Sequence, residues 1–350
     1  MSHYIGLDLH LETSTFGALN ERAKQSAPIV VRTTGRDLIG AVKKFPAPRV
    51  LCLEEGTMTE WACELLRPHV EEIIVVQPEK RRGNKSDRDD AFALAEMARR
   101  GVSKRIFKPY GQLSELRTAA RNYDECQRDV VRAKNRLLAA FRSRGIKLPK
   151  DYSEEDGREE LLALLKAPYR QHAEALCTRL DAAMNSRETA STWLRAAAAK
   201  VSAVKLLMSV DGLGIVRAAQ IVAVVVSPTR FRSRAAFWSY CGLGICSYSS
   251  ADWHVDESGA IVRSKRKGGL RGLNRNRNPI LKNAFVGAAR TVSKMTEHPL
   301  AKDYQRLVER GLDERIARIT IARRLATATL AVWTRKEEYD PAKHVARNPA

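Results

Sequence analysis

The chain is short of several things, and each shortage excludes something. It has no long apolar run: the greasiest stretch, Ile221–Val226, is far too short to cross a bilayer. The opening MSHYIGLDLH has no basic region leading into an apolar core, so it does not resemble a secretory signal, and the cytoplasm is the expected location. The 6 cysteines show no CxxC spacing, which argues for reduced thiols over a disulfide framework or a zinc knuckle. With 20 Gly and 13 Pro in 350 residues, and 44% hydrophobic against 29% charged, the chain is neither collagen-like nor disordered. Acid is scarce as well. There are 40 Asp+Glu against 61 Lys+Arg, a net charge of +21. Such a surplus calls for a polyanionic partner, nucleic acid first and an anionic membrane surface second, because released counterions drive the association.

The length suggests two or three domains. Short β-branched runs bounded by turn signals predict strands over 3–9, 14–20, 28–32 and 49–54 and over EEIIVVQP, which Pro78 stops. Helices are expected over 34–45 and 58–67 and after residue 85. A meander that turns into alternation is the pattern of a mixed sheet with helices on its faces, so the expected fold class is α/β for residues 1–105. From 112 to 145 apolar residues recur at three and four (Leu113, Leu116, Ala120, Tyr123, Cys126, Val130), and the chain from 159 to 207 again looks helical. Residues 106–204 therefore form a long helical middle of coiled-coil arms or bundle members, with the break around 145–157 as the tip of a hairpin. A mainly helical domain is expected over 205–335 and a loose tail over 336–350.

Carboxylates carry the first chemical signal. Asp8 sits inside the apolar strand GLDL, where a carboxylate must be paired, hydrogen-bonded or ligating. Glu54 ends the strand LCLE, and Asp87 and Asp90 fall on one face at the start of a helix in KSDRDDAFALAE, where Ser86 or Asp87 is the cap. Two central strands of a mixed sheet and one helix N-terminus can gather four such groups. Crowded carboxylates resist ionising together unless a cation is present, which points to Mg2+ or Mn2+. The plainer reading makes Asp87 an ordinary cap and Glu54 a strand-end charge. Lys85 and Arg88 flank the acids and either touch phosphate or are solvated. His10, two positions after Asp8, can share its face, although nothing in the sequence fixes its orientation.

The C-terminal half offers three further features. VDGLGIVRAAQIV reads as two helices joined by a Gly-rich turn, in which Gly212 and Gly214 either present backbone N–H groups to phosphate or simply make a hairpin. Ser247, Ser249 and Ser250 crowd a turn bracketed by Trp238 and Trp253, a pattern that most often marks a loop. From Arg263 to Arg277 there are seven basic residues (Arg263, Lys265, Arg266, Lys267, Arg271, Arg275, Arg277) and no acid. Interleaved with Gly and Asn, they read as a loop able to wrap a phosphate backbone.

GLD at 6–8, the acid of LEEGT at 53–57 and KSDRDDAFALAE at 85–96 resemble a family of bacterial insertion-sequence transposases, also known as bridge-RNA-guided recombinases. Their catalytic domain is similar to the Holliday-junction resolvase RuvC and is ribonuclease-H-like, with an Asp-Glu-Asp-Asp set that falls here on Asp8, Glu54, Asp87 and Asp90. Glu55 and Asp89 are the competing neighbours. In that family a Y-x-G-L segment precedes a serine that attacks DNA covalently. Tyr240, Gly242 and Leu243 match the segment and Ser250 the serine, with Ala251 in place of the usual glycine and Ser249 as its near competitor. The turn at 210–214 carries Asp211 where the family has proline. The resemblance implies a Mg2+-dependent, nucleoid-associated enzyme that joins donor and target DNA, guided by a structured RNA, as a dimer to tetramer. A metal-dependent junction endonuclease and a non-enzymatic nucleic-acid-binding protein are the alternatives.

Overall fold

The protein is described from a computed structural model that covers residues 2–78, 86–101, 105–149, 152, 157–248, 253–263 and 269–343. It divides into two compact units, Met1–Tyr110 and Gly111–Ala350.

The first unit is built on a five-stranded sheet of β1 (His3–Leu9), β2 (Thr13–Asn20), β3 (Ile29–Arg32), β4 (Arg49–Glu54) and β5 (Glu72–Val76), in the order β3-β2-β1-β4-β5. β1, β2 and β3 pair antiparallel, whereas β4 and β5 join in parallel through crossovers, so the sheet is mixed. Its helices are α1 (Gly35–Lys43), α2 (Thr59–Leu66) and α3 (Asp87–Arg100). Thr34 caps α1 by accepting from the Asp37 N–H, and its hydroxyl donates back to the Asp37 carboxylate at 2.9 Å. Alternation along the strands sorts the side chains onto two faces. Ile5, Leu7, Phe16, Leu51 and Leu53 pack with Leu38, Val42, Ala62 and Leu66 of α1 and α2. Cys52, Ile74 and Val76 pack on the other face with Leu94 and Ala98 of α3.

The second unit contains α4 (Gln112–Arg142), α5 (Arg158–Ala163), α6 (Tyr169–Ala199), α7 (Ser202–Leu207), α8 (Ile215–Val225), α9 (Arg234–Tyr240), α10 (Pro279–Val292), α11 (Pro299–Glu309) and α12 (Glu314–Arg335). α4 and α6 form an antiparallel hairpin. Leu116 and Ala120 share one core with Leu194 and Ala197, while Leu137 and Phe141 share a second with Ala173 and Leu176 near the tip. α8 is nearly all apolar and runs through the main core, packed by Phe237, Phe285, Ile321 and Leu325.

One expectation needs correcting, and another gains detail. The described residues of the expected serine turn and basic loop are not all loop: β6 (Ile245–Tyr248) pairs with β9 (Gly269–Leu273), and β7 (Trp253–Val255) with β8 (Ile261–Arg263), all antiparallel. Strands of only three to five residues carry too little apolar alternation to be read from sequence. Within the expected tail of 336–350, described as far as residue 343, Tyr339 is held against its neighbours. The Tyr339 N–H donates to Ser209 Oγ at 3.0 Å, and its ring stacks on His298 with centroids 6.5 Å apart. Among the described residues, no helix is long and apolar enough to cross a membrane.

Candidate functional site

In the parallel pairing of β1 with β4, Leu7 lies opposite Leu53, both fully buried toward α1 and α2. Asp8 and Glu54 each follow one residue later, so both turn to the face that carries α3. Two glycines bring that helix close. Gly6 and Gly17 are opposite each other in the β1–β2 ladder, and a Cβ on Gly6 would sit 1.8 Å from the Ala91 carbonyl oxygen. A Cβ on Gly17 would lie 3.0 Å from the Phe92 amide nitrogen. The α3 backbone therefore rests on bare strand, and its first turn, with Asp87, Asp89 and Asp90, opens beside the end of β1. Ser86 occupies the N-cap position, without a side-chain hydrogen bond to the helix.

His10 Nε2 stands 3.2 Å from Asp8 Oδ2 and 3.9 Å from Asp87 Oδ1. Asp8, His10 and Asp87 each offer a ligand atom within 4.8 Å of the others. Glu54 and Asp90 share the face and the helix turn but lie outside that set. Burial pushes the Asp8 carboxyl above its ordinary value, and the charges of Asp87 and Asp90 raise it further, against the opposing pull of His10. Repelling carboxylates with an imidazole between them are a donor set that fits a divalent cation. Glu55, the competitor of Glu54, is tied to Lys108, whose nitrogen is 2.7 Å away and whose side chain is buried. Arg88 lies over the Phe92 ring at 5.9 Å. Lys85 falls outside the described residues.

In the second unit the Gly-rich turn is held by packing. Gly212 has φ +81°, and a Cβ there would lie 2.7 Å from the Ala288 carbonyl oxygen, so the turn presses against α10. The Gly212 carbonyl accepts from Arg217 at 2.7 Å. Asp211 has a partner of its own in buried His298, whose Nε2 is 3.1 Å from Asp211 Oδ2. Because His298 Nδ1 accepts from the Leu300 N–H at 3.0 Å, the proton sits on Nε2 and is donated to Asp211. This pairing accounts for an acid where the resembled family has proline. Gly214, at the N-cap of α8, borders a cavity of about 750 Å3 lined also by Arg128, Arg195, Arg217, Gln220 and Asn283.

The serines Ser249 and Ser250 and the basic residues Lys265, Arg266 and Lys267 lie outside the described residues. Arg263 ends β8 and Arg271 lies in β9. Arg275 is exposed, whereas Arg277 packs over Gly242 and donates to the Asn274 carbonyl at 3.2 Å. Asn274 Nδ2 bonds Ser239 Oγ at 2.8 Å, and Arg323 Nε donates to the Leu243 carbonyl at 2.6 Å, so the Tyr240–Leu243 segment is fastened from two sides. Trp238 donates from its indole nitrogen to Thr327 Oγ1 at 3.0 Å as part of the core, whereas Trp253 is 61% exposed.

The sequence leaves the orientation of His10 open and hides the close approach at Gly6 and Gly17. The one available signal for His10 was its two-residue spacing from Asp8. The close approach is visible only once the strand register is known.

Residues 5–144 match a DEDD-type IS110 transposase model, and residues 204–305 match a second model described as the IS116/IS110/IS902 transposase family. No curated protein matches the chain. The first match spans the mixed sheet and its carboxylates, and DEDD domains of this kind are ribonuclease-H-like. Both halves are thus matched by models of one transposase family, over more than half of the chain, and the chain belongs to the insertion-sequence transposases of the IS116/IS110/IS902 family, enzymes that cut and rejoin DNA.

Proposed function

We propose that this transposase works by a metal-assisted serine mechanism in which Asp8, Glu54, Asp87 and Asp90 hold the divalent ion and Ser250 is the nucleophile. The observation that carries the metal half is the approach of Asp8 and Asp87, from a strand and a helix, to one imidazole nitrogen at 3.2 and 3.9 Å. A divalent ion held there supplies positive charge to the scissile phosphate and lowers the barrier to deprotonating the attacking hydroxyl. Asp8 and Glu54, on adjacent strands of a packed sheet, give the ligand set a rigid base, and α3 brings its acids to that base.

A serine hydroxyl is a weak nucleophile at neutral pH and needs such help. In the proposed step the Ser250 oxygen forms a bond to phosphorus, one phosphorus–oxygen bond to the sugar breaks, and the serine proton ends on the departing sugar oxygen. The phosphodiester is conserved as a phosphoserine link, which a second DNA hydroxyl attacks to rejoin the strands and release the serine. Basic residues from Arg263 to Arg277 grip backbone phosphate, consistent with a net charge of +21. A structured guide RNA and an oligomer of two to four chains complete the reading, and both rest on family membership.

The test is to incubate the protein with Mg2+ or Mn2+, RNA and DNA, digest the mixture, and map phosphorylated peptides by mass spectrometry. The expected result is a DNA-derived adduct on Ser250, absent in Ser250→Ala, which still binds DNA. Free 5′-phosphate ends without an adduct, at an undiminished rate in Ser250→Ala, would replace this mechanism with that of a hydrolytic endonuclease. An adduct on Ser249 would move the nucleophile by one residue.

A further inference from the structure

We propose that His10 is itself a ligand of the divalent ion, and that its nitrogen turns the site toward a first-row transition ion over Mg2+. The inference rests on the metal-dependent reading of the carboxylate site.

His10 is the first residue beyond β1, two after Asp8, so the alternation that turns Asp8 toward α3 turns His10 the same way. Its Nε2 lies between carboxylates from two different elements, 3.2 Å from Asp8 and 3.9 Å from Asp87. One hydrogen bond accounts for the first distance. The second is too long for a hydrogen bond and leaves the two ligand atoms near enough for one cation to bind both. The imidazole is 58% exposed, so an ion from solvent can reach it.

The backbone beneath His10 is fixed by a relay. Thr33 Oγ1 donates to the His10 carbonyl at 2.7 Å, which uses the hydroxyl's only proton. The fully buried Ser14 hydroxyl, 2.7 Å from Thr33 Oγ1, must then be the donor in that pair. The Thr33 N–H also donates to the Glu12 carbonyl at 2.9 Å. The turn from β1 to β2 is therefore pinned to the end of β3, and the imidazole stands on an anchored residue. This is the kind of support that a metal ligand needs.

Ligand chemistry sets the consequence. Mg2+ takes oxygen donors and keeps several waters, whereas imidazole suits first-row transition ions. A set of three or four carboxylates alone would leave the choice to availability, and a nitrogen donor biases it.

The experiment uses the full-length protein with Mn2+ as the probe. Pulsed electron paramagnetic resonance should show nitrogen coupling to bound Mn2+ in the wild type and none in His10→Gln. Calorimetry should show Mn2+ affinity falling at least about tenfold in His10→Gln while Mg2+ affinity changes by less than about twofold. Coupling that is absent from the wild type, or that persists in the variant, would overturn the assignment, as would equal losses for the two ions. Asp8→Asn separates the two readings. Mn2+ that binds the wild type without nitrogen coupling and fails to bind Asp8→Asn would remove His10 and leave the carboxylate site standing. Mn2+ that binds Asp8→Asn as tightly as the wild type would remove the carboxylate site itself.

Discussion

Replacing Gly6 with alanine tests whether close approach of α3 to bare strand assembles the carboxylates. The new Cβ would lie 1.8 Å from the Ala91 carbonyl oxygen and 2.7 Å from the Ala95 nitrogen, both helix backbone that no rotamer change can clear. Reaching even the shortest tolerable contact means a helix displacement of about 1.2 Å. Forcing atoms into a packed core costs about 1–3 kcal/mol and sometimes more, and this site belongs at the upper end or beyond because the obstacle is backbone. Alanine returns only about 0.4–1 kcal/mol by stiffening the unfolded chain, so Gly6→Ala should lose about 2 kcal/mol or more. Gly17→Ala is the internal control. Its Cβ would meet the Phe92 amide nitrogen at 3.0 Å and the ring at 3.1 Å, so a shift of a few tenths of an ångström suffices and the net change should be near zero. Urea denaturation gives the stabilities, and Mn2+ calorimetry reports whether Asp87 and Asp90 have moved away from Asp8. Gly6→Ala with wild-type stability and undiminished Mn2+ affinity would refute the argument.

Three other outcomes follow from particular contacts. Burial raises the Asp124 carboxyl above 3.8, outweighing its hydrogen bond from Gln220, so the folded state holds that proton more tightly than the unfolded one. Asp124 thus stabilises below pH 3.8 and loses that contribution as pH rises through the folded value; Asp124→Asn should raise Tm at pH 7, with the gain disappearing on acidification. Asn278 caps α10 by accepting from the Ile280 and Leu281 amides, and Asn278→Ala should cost about 1 kcal/mol in urea denaturation. Arg275 is exposed, so Arg275→Ala should leave stability unchanged and flatten the salt dependence of nucleic-acid binding by about 0.7–0.9 if it contacts one phosphate.

The sheet of the first unit was readable because its signals are local. Runs such as HYIGLDL and RVLCLE alternate or stay apolar over a single strand, and the expected ranges 3–9 and 49–54 are those of β1 and β4. Asp8 stood out for the same reason, as a charge inside such a run. What the sequence hides is pairing at a distance. The opposition of Gly6 to Gly17 depends on strand register, and the Asp211–His298 contact joins residues 87 apart. The backbone of His10 is held by Thr33, 23 residues on, a contact no local pattern announces. The β6–β9 pair escaped because Gly and Arg dominate β9, where strand formation is decided by the partner and not by propensity.

If the Asp-Glu-Asp-Asp carboxylates form the metal centre that drives strand transfer, neutralising any one of them removes divalent-ion-dependent DNA cleavage. Asp8→Asn, Glu54→Gln, Asp87→Asn and Asp90→Asn should each retain DNA binding and lose cleavage and rejoining in both Mg2+ and Mn2+, while Glu55→Gln, whose carboxylate pairs with Lys108, keeps them. Full cleavage by Asp8→Asn at wild-type metal concentration would contradict the account.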